Sequence, residues 1–112
     1  MKNWNEVISS IKRLGVNDEY EISPLVIKFA VRVAKQMEKD GAPILDRVTP
    51  NLAGGILLER HDSKEFETIE ISSKFLIECS IYENCKLMQS RQFRLNDADE
   101  WIKLDKPEDE TL

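Results

Sequence analysis

The chain has 112 residues, a formal net charge of −5, 41% hydrophobic and 33% charged side chains, the profile of one globular domain and not of a disordered or collagen-like chain. No apolar run approaches the ~20 residues of a membrane-spanning helix, and Met1-Lys2-Asn3-Trp4-Asn5-Glu6 lacks the apolar core of a secretory signal. Two cysteines, Cys79 and Cys85, cannot form a disulfide framework, so the expected setting is a reducing cytoplasm.

Trp4, Val7, Ile8, Ile11 and Leu14 recur at helical spacing against a polar face of Lys2, Asn5, Glu6, Ser9, Lys12 and Arg13. This predicts an amphipathic helix over residues 3–14 with Gly15 as a left-handed cap. Residues 17–21 form a polar connection. Ser23-Pro24 then opens a second helix, serine as N-cap and proline at the first helical position. Its apolar stripe is Leu25, Val26, Phe29, Ala30, Val33, Ala34 and Met37, and it stops at Gly41 and Pro43. The expected span is 24–40.

Beyond Pro43 the period changes from 3.6 to 2. Pro50-Asn51 and Gly54-Gly55 mark turns; Ile56–Arg60 reads as a strand, and His61-Asp62-Ser63-Lys64 as its turn. A strand over Phe66–Ile71 follows. Phe75, Ile77, Cys79 and Ile81 then alternate with Leu76, Glu78, Ser80 and Tyr82, and a last, more polar strand spans Leu87–Leu95 after a turn at Asn84. Short loops imply an antiparallel meander. The expected fold is α+β, two N-terminal helices packed on one face of a three- to five-stranded sheet, forming a single domain over residues 1–95.

Residues 96–112 are expected to be an acidic C-terminal segment, partly ordered at most. They carry seven carboxylates against Lys103 and Lys106, and so the whole net charge of −5. Trp101, Ile102 and Leu104 set this segment apart from a purely solvating tail; they should pack on this domain or on a partner.

Ile22-Ser23-Pro24, Pro43, Pro50, Gly54-Gly55-Ile56-Leu57-Leu58-Glu59 and Thr68-Ile69-Glu70-Ile71 together make a pattern. Over about residues 17–85 it resembles a family of small, uncharacterised bacterial proteins with a Ser-Pro-led helix and a Gly-Gly-Ile-x-Leu-Glu-Trp-like strand. Arg60 stands where that family tends to have Trp, and Ser73-Lys74 where it has an Asp-Gly turn. The resemblance implies a fold without a catalytic signature, and a place among accessory or toxin–antitoxin-like proteins.

One histidine and two cysteines cannot close a zinc site. Glu59, Glu67, Glu70 and Glu78 lie on adjacent predicted strands, and Glu70 and Glu78 could share the outer surface, the arrangement a carboxylate enzyme or magnesium site would need. His61-Asp62-Ser63 has triad residue types, but contiguous turn residues cannot align nucleophile, base and orienting group. Gly54-Gly55 lacks the spacing of a phosphate loop.

Lys28, Arg32, Lys35 and Lys39 form a basic ridge on the second helix, extendable by Arg47, Arg91 or Arg94. It serves as a solvated face, a contact for protein or for the acidic segment folded back, or a nucleic-acid surface; the acidic balance weighs against the last. The expected function is a non-catalytic, cytoplasmic protein-binding module without cofactor, of the antitoxin or immunity kind or a small subunit of a bacterial complex. Its partner contacts would be Trp101, Ile102, Leu104, Lys28, Arg32, Lys35 and Lys39, with Trp101 as hot spot. The alternatives are a nucleic-acid-binding accessory protein using the ridge, and a small carboxylate enzyme. Pairing of a free edge strand would give a homodimer.

Overall fold

The computed structural model describes residues 1–105. Two helices, α1 (Trp4–Leu14) and α2 (Pro24–Lys39), flank one turn of 3₁₀ helix at Asp18–Tyr20. Six strands follow: β1 (Arg47–Pro50), β2 (Ile56–Asp62), β3 (Glu65–Ile71), β4 (Ile77–Glu83), β5 (Lys86–Leu95) and β6 (Trp101–Leu104). They form one antiparallel sheet in chain order, β1 to β6. The α+β class and the meander are as expected, with one strand more than the upper limit of five.

The helices start where side chains can satisfy their first N–H groups. Asn3 Oδ1 accepts from Glu6 N at 2.9 Å, and Ser23 Oγ accepts from Val26 N at 3.2 Å. At the end of α1 the reason for glycine differs from the expected one. Gly15 has a right-handed φ of −72°, but a Cβ there would meet Ile27 Cγ1 at 2.8 Å. Gly15 therefore provides closeness between α1 and α2, not a left-handed cap. Gly41, with φ +76°, supplies the reversal after α2.

Both helices cover the inner face of the sheet. Val7 and Ile11 of α1, with Val26, Ala30 and Val33 of α2, are buried against Leu45, Ile56, Leu58, Ile71 and Ile77. Leu25 was expected in that stripe but is 66% exposed, because it sits on the first turn of α2, outside the sector that faces the sheet.

Besides the added strand β1 over Arg47–Pro50, the strand boundaries depart from the sequence reading chiefly at three places. His61 and Asp62 belong to β2, paired with Phe66 and Glu65, which narrows the turn to Ser63-Lys64. Phe75 lies in the β3–β4 turn at φ +64° and packs edge-on against Phe29, centroids 5.4 Å apart, so β4 begins only at Ile77. The expected boundary at residue 95 falls inside the sheet, since β6 pairs Trp101 with Leu95 and Leu104 with Gln92. The acidic stretch 106–112 lies outside the described residues.

Candidate functional site

The expected contact residues scatter over three surfaces. Lys28, Lys35 and Lys39 are exposed on α2. Arg32 is engaged instead: its Nη2 donates to Asp99 Oδ1 at 2.8 Å and to Asn96 O at 2.6 Å, and its Nε to Asp99 Oδ1 at 3.0 Å. The start of the acidic segment thus folds back on the ridge at this one cation. Strand alternation sends Arg47 and Arg94 to the outer face, away from α2, so they cannot extend the ridge.

Trp101 is half-buried on the inner face. Its ring meets Phe93 at 6.3 Å edge-on, and its Nε1 donates to Asp40 Oδ2 at 2.7 Å. Much of its surface is therefore committed to this domain. Ile102 and Leu104 alternate to the outer face, Ile102 exposed and Leu104 half-buried. The three expected apolar contacts do not form one patch.

The carboxylates also separate. Glu70 and Glu78 are cross-strand partners on the outer face, held by Asn51 Nδ2 at 3.0 Å and Gln92 Nε2 at 3.1 Å respectively. Glu59 shares that face, whereas Glu67 lies on the inner face in an ion pair with Arg60. Among the described residues, no group of three His, Cys, Asp or Glu side chains could hold a metal ion. Cys79, beside Glu67, has its thiol pushed up to about 11 by burial first and then by the Glu67 and Glu78 carboxylates. It stays protonated at neutral pH and is a poor nucleophile.

A different constellation emerges on the outer face, where no helix packs. Across β2, β3, β4 and β5, register places His61, Phe66, Tyr82 and Leu87 in one row. The His61 and Phe66 rings stack at 4.5 Å, and Phe66 and Tyr82 follow at 5.9 Å, tilted by 34°. The row ends at Leu87, 52% exposed, next to Met88, 56% exposed. Met88 is the extra residue where the β4–β5 register shifts, since Ile81 pairs with Gln89 and Tyr82 with Leu87. That shift is why the row was invisible in the sequence: residue spacing does not reveal a bulge.

The same residues border an open edge. β6 covers only Gln92–Leu95 of β5, so Lys86–Arg91 has no second neighbour strand among the described residues. The opposite edge is closed differently. Where β1 ends its pairing with β2, Asp46 Oδ2 accepts from His61 N at 2.6 Å, and α1 packs on β1. The sheet thus caps one edge with a carboxylate and presents apolar side chains at the other.

Comparison with protein families, with curated proteins and with solved structures finds no match to this chain.

Proposed function

We propose that this chain is a protein-binding module that receives an extended segment of its partner along the Lys86–Arg91 edge of β5. The reading rests on one observation: the aromatic row His61–Phe66–Tyr82 runs across a sheet face into exposed Leu87 and Met88 on an edge, and among the described residues that face is not covered and that edge is not paired. Strand addition at such an edge gains backbone hydrogen bonds, and flanking side chains supply selectivity. Aromatic rings and Met are the residue types enriched in interface cores. Lys86 and Arg91 at the two ends of the segment favour an acidic partner strand. They also disfavour self-pairing about the segment's centre, which would set Lys86 against Arg91 of the second copy. A neutraliser of the antitoxin or immunity kind, or a small subunit of a bacterial complex, is the finer form of this non-catalytic reading.

The test is affinity purification of tagged protein from cells that make it naturally, comparing wild type with Leu87→Lys/Met88→Lys and with Lys35→Glu/Lys39→Glu. One stoichiometric partner should accompany the wild type and the α2 variant, and be lost from the edge variant. Loss from the α2 variant alone would move the interface to the basic ridge. The absence of any partner for wild type would refute a constitutive complex.

A further inference from the structure

The last ladder of the sheet covers only part of β5. β6 pairs with it from Trp101 opposite Leu95 to Leu104 opposite Gln92, while residues 86–91 of β5 run on along the same side. Asp105 is the last described residue, and Lys-Pro-Glu-Asp-Glu-Thr-Leu follows it at 106–112. Residues 105–110 match the uncovered stretch of β5 in length.

The hydrogen-bond phase of this ladder is set at its turn. Asn96 N donates to Glu100 O at 3.0 Å, so residues 96 and 100 form a hydrogen-bonded pair. Pair types alternate along an antiparallel ladder, which makes Leu104 opposite Gln92 hydrogen-bonded again. The same register carried on sets Asp105 opposite Arg91, Lys106 opposite Ser90 and Pro107 opposite Gln89. Lys106 then falls at a hydrogen-bonded position and Pro107 at a non-hydrogen-bonded one. There a strand residue turns its N–H away from its neighbour, so the N–H that proline lacks is not missed. One position earlier or later, proline would remove a ladder bond.

Charge fits the same register. Arg91 meets Asp105, and Glu108, Asp109 and Glu110 come toward Lys86 at the far end, each an opposite-charge combination. Among the described residues neither Lys86 nor Arg91 forms an ion pair. The bulge at Met88 interrupts the alternation of β5, so regular ladder bonds extend to Ser90 and charge carries the contact beyond it.

We infer that residues 105–110 continue β6 along β5 and occupy, within one chain, the edge proposed for the partner's segment. The acidic stretch is thereby an internal competitor that an incoming strand must displace. The competition rests on the strand-addition reading; the docking itself does not.

The docking is tested on the whole chain without a partner. A nitroxide on exposed Cys85, one label per chain by mass, sits in the β4–β5 turn next to Lys86. It should broaden the amide signals of residues 108–110, and Lys106→Pro, which removes the ladder donor opposite Ser90, should restore them. Exchange of the Ser90 amide proton should be roughly tenfold slower in the wild type than in Lys106→Pro. Sharp signals in the wild type, broadening that persists in Lys106→Pro, or equal exchange at Ser90 would overturn the docking. Broadening seen only between molecules, with label and isotope on separate chains, would give the edge to a second copy and overturn it as well. In affinity purification Lys106→Pro should retain roughly twofold more partner, or better, than the wild type. Equal capture would overturn the competition while the docking stands, and no partner with either chain would refute the strand-addition reading instead.

Discussion

The indole Nε1 of Trp101 donates to Asp40 Oδ2 at 2.7 Å, tying the last strand to the residue that caps α2. The two residues are 61 positions apart, and the bond joins the sheet's last strand to the end of the helix layer. It also sets Trp101 to work within this domain. Trp101→Phe keeps a ring and removes the donor, and should cost about 1 kcal/mol in denaturant unfolding. Trp101→Ala removes the packing as well and should cost about 2–3 kcal/mol, less than a fully buried aromatic because the ring is only half-buried. An unchanged stability for Trp101→Ala would return the residue to the role of a pure partner contact.

Arg32 should matter more than its salt bridge. The Arg32–Asp99 pair is 38% and 52% exposed, so Asp99→Asn is expected to cost at most about 0.5 kcal/mol, less in high salt. Arg32→Ala also removes the side-chain donor to the Asn96 carbonyl, which keeps only the Asp99 N–H at 3.0 Å, and should cost about 1 kcal/mol, largely independent of salt. A double-mutant cycle at low and high ionic strength separates the two parts.

Turn positions should respond to substitution in opposite directions. At Gly41 the φ is +76° with open space around it, so Gly41→Ala should cost about 1 kcal/mol from backbone strain alone. At Gly55 a Cβ would collide with the Ile71 carbonyl oxygen. Gly55→Ala should therefore be the more damaging of the two. Asn84 and Cys85, with φ +53° and +65°, make the left-handed pair that the tight β4–β5 hairpin requires. Cys85→Gly should accordingly stabilise by about 0.5–1 kcal/mol. Thermal unfolding of the three variants checks the order.

Burial of the Cys79 thiol should show in the pH dependence of stability. Cys79 is raised from the ordinary 9.0 to about 11, so the folded chain holds this proton more tightly than the unfolded chain. Its contribution to stability is fully present below pH 9 and is lost as pH rises toward 11. The denaturation midpoint of the wild type should therefore fall more steeply between pH 9 and 10.5 than that of Cys79→Ala, which starts lower but lacks this titration. At pH 8 iodoacetamide should modify exposed Cys85 and spare Cys79, as mass spectrometry would show.

The helices could be read residue by residue because their determinants are local. Ser23-Pro24 caps α2 through contacts three residues apart, and the stripe Val26, Phe29, Ala30, Val33 and Ala34 needs only the helical period to define a face. Alternation likewise located the cores of β2, β3 and β4. Cross-strand register was beyond reach. It paired Arg60 with Glu67 across β2 and β3, brought His61, Phe66, Tyr82 and Leu87 into one row through a bulge, and left Lys86–Arg91 without a second neighbour strand among the described residues, whereas alternation alone already sent Glu70 and Glu78 to the outer surface. The bonds from Arg32 to Asp99 and from Trp101 to Asp40 span 67 and 61 residues. Side-chain periodicity specifies which face of an element is apolar; only the packed chain decides which faces meet, and the candidate sites of this protein consist of such meetings.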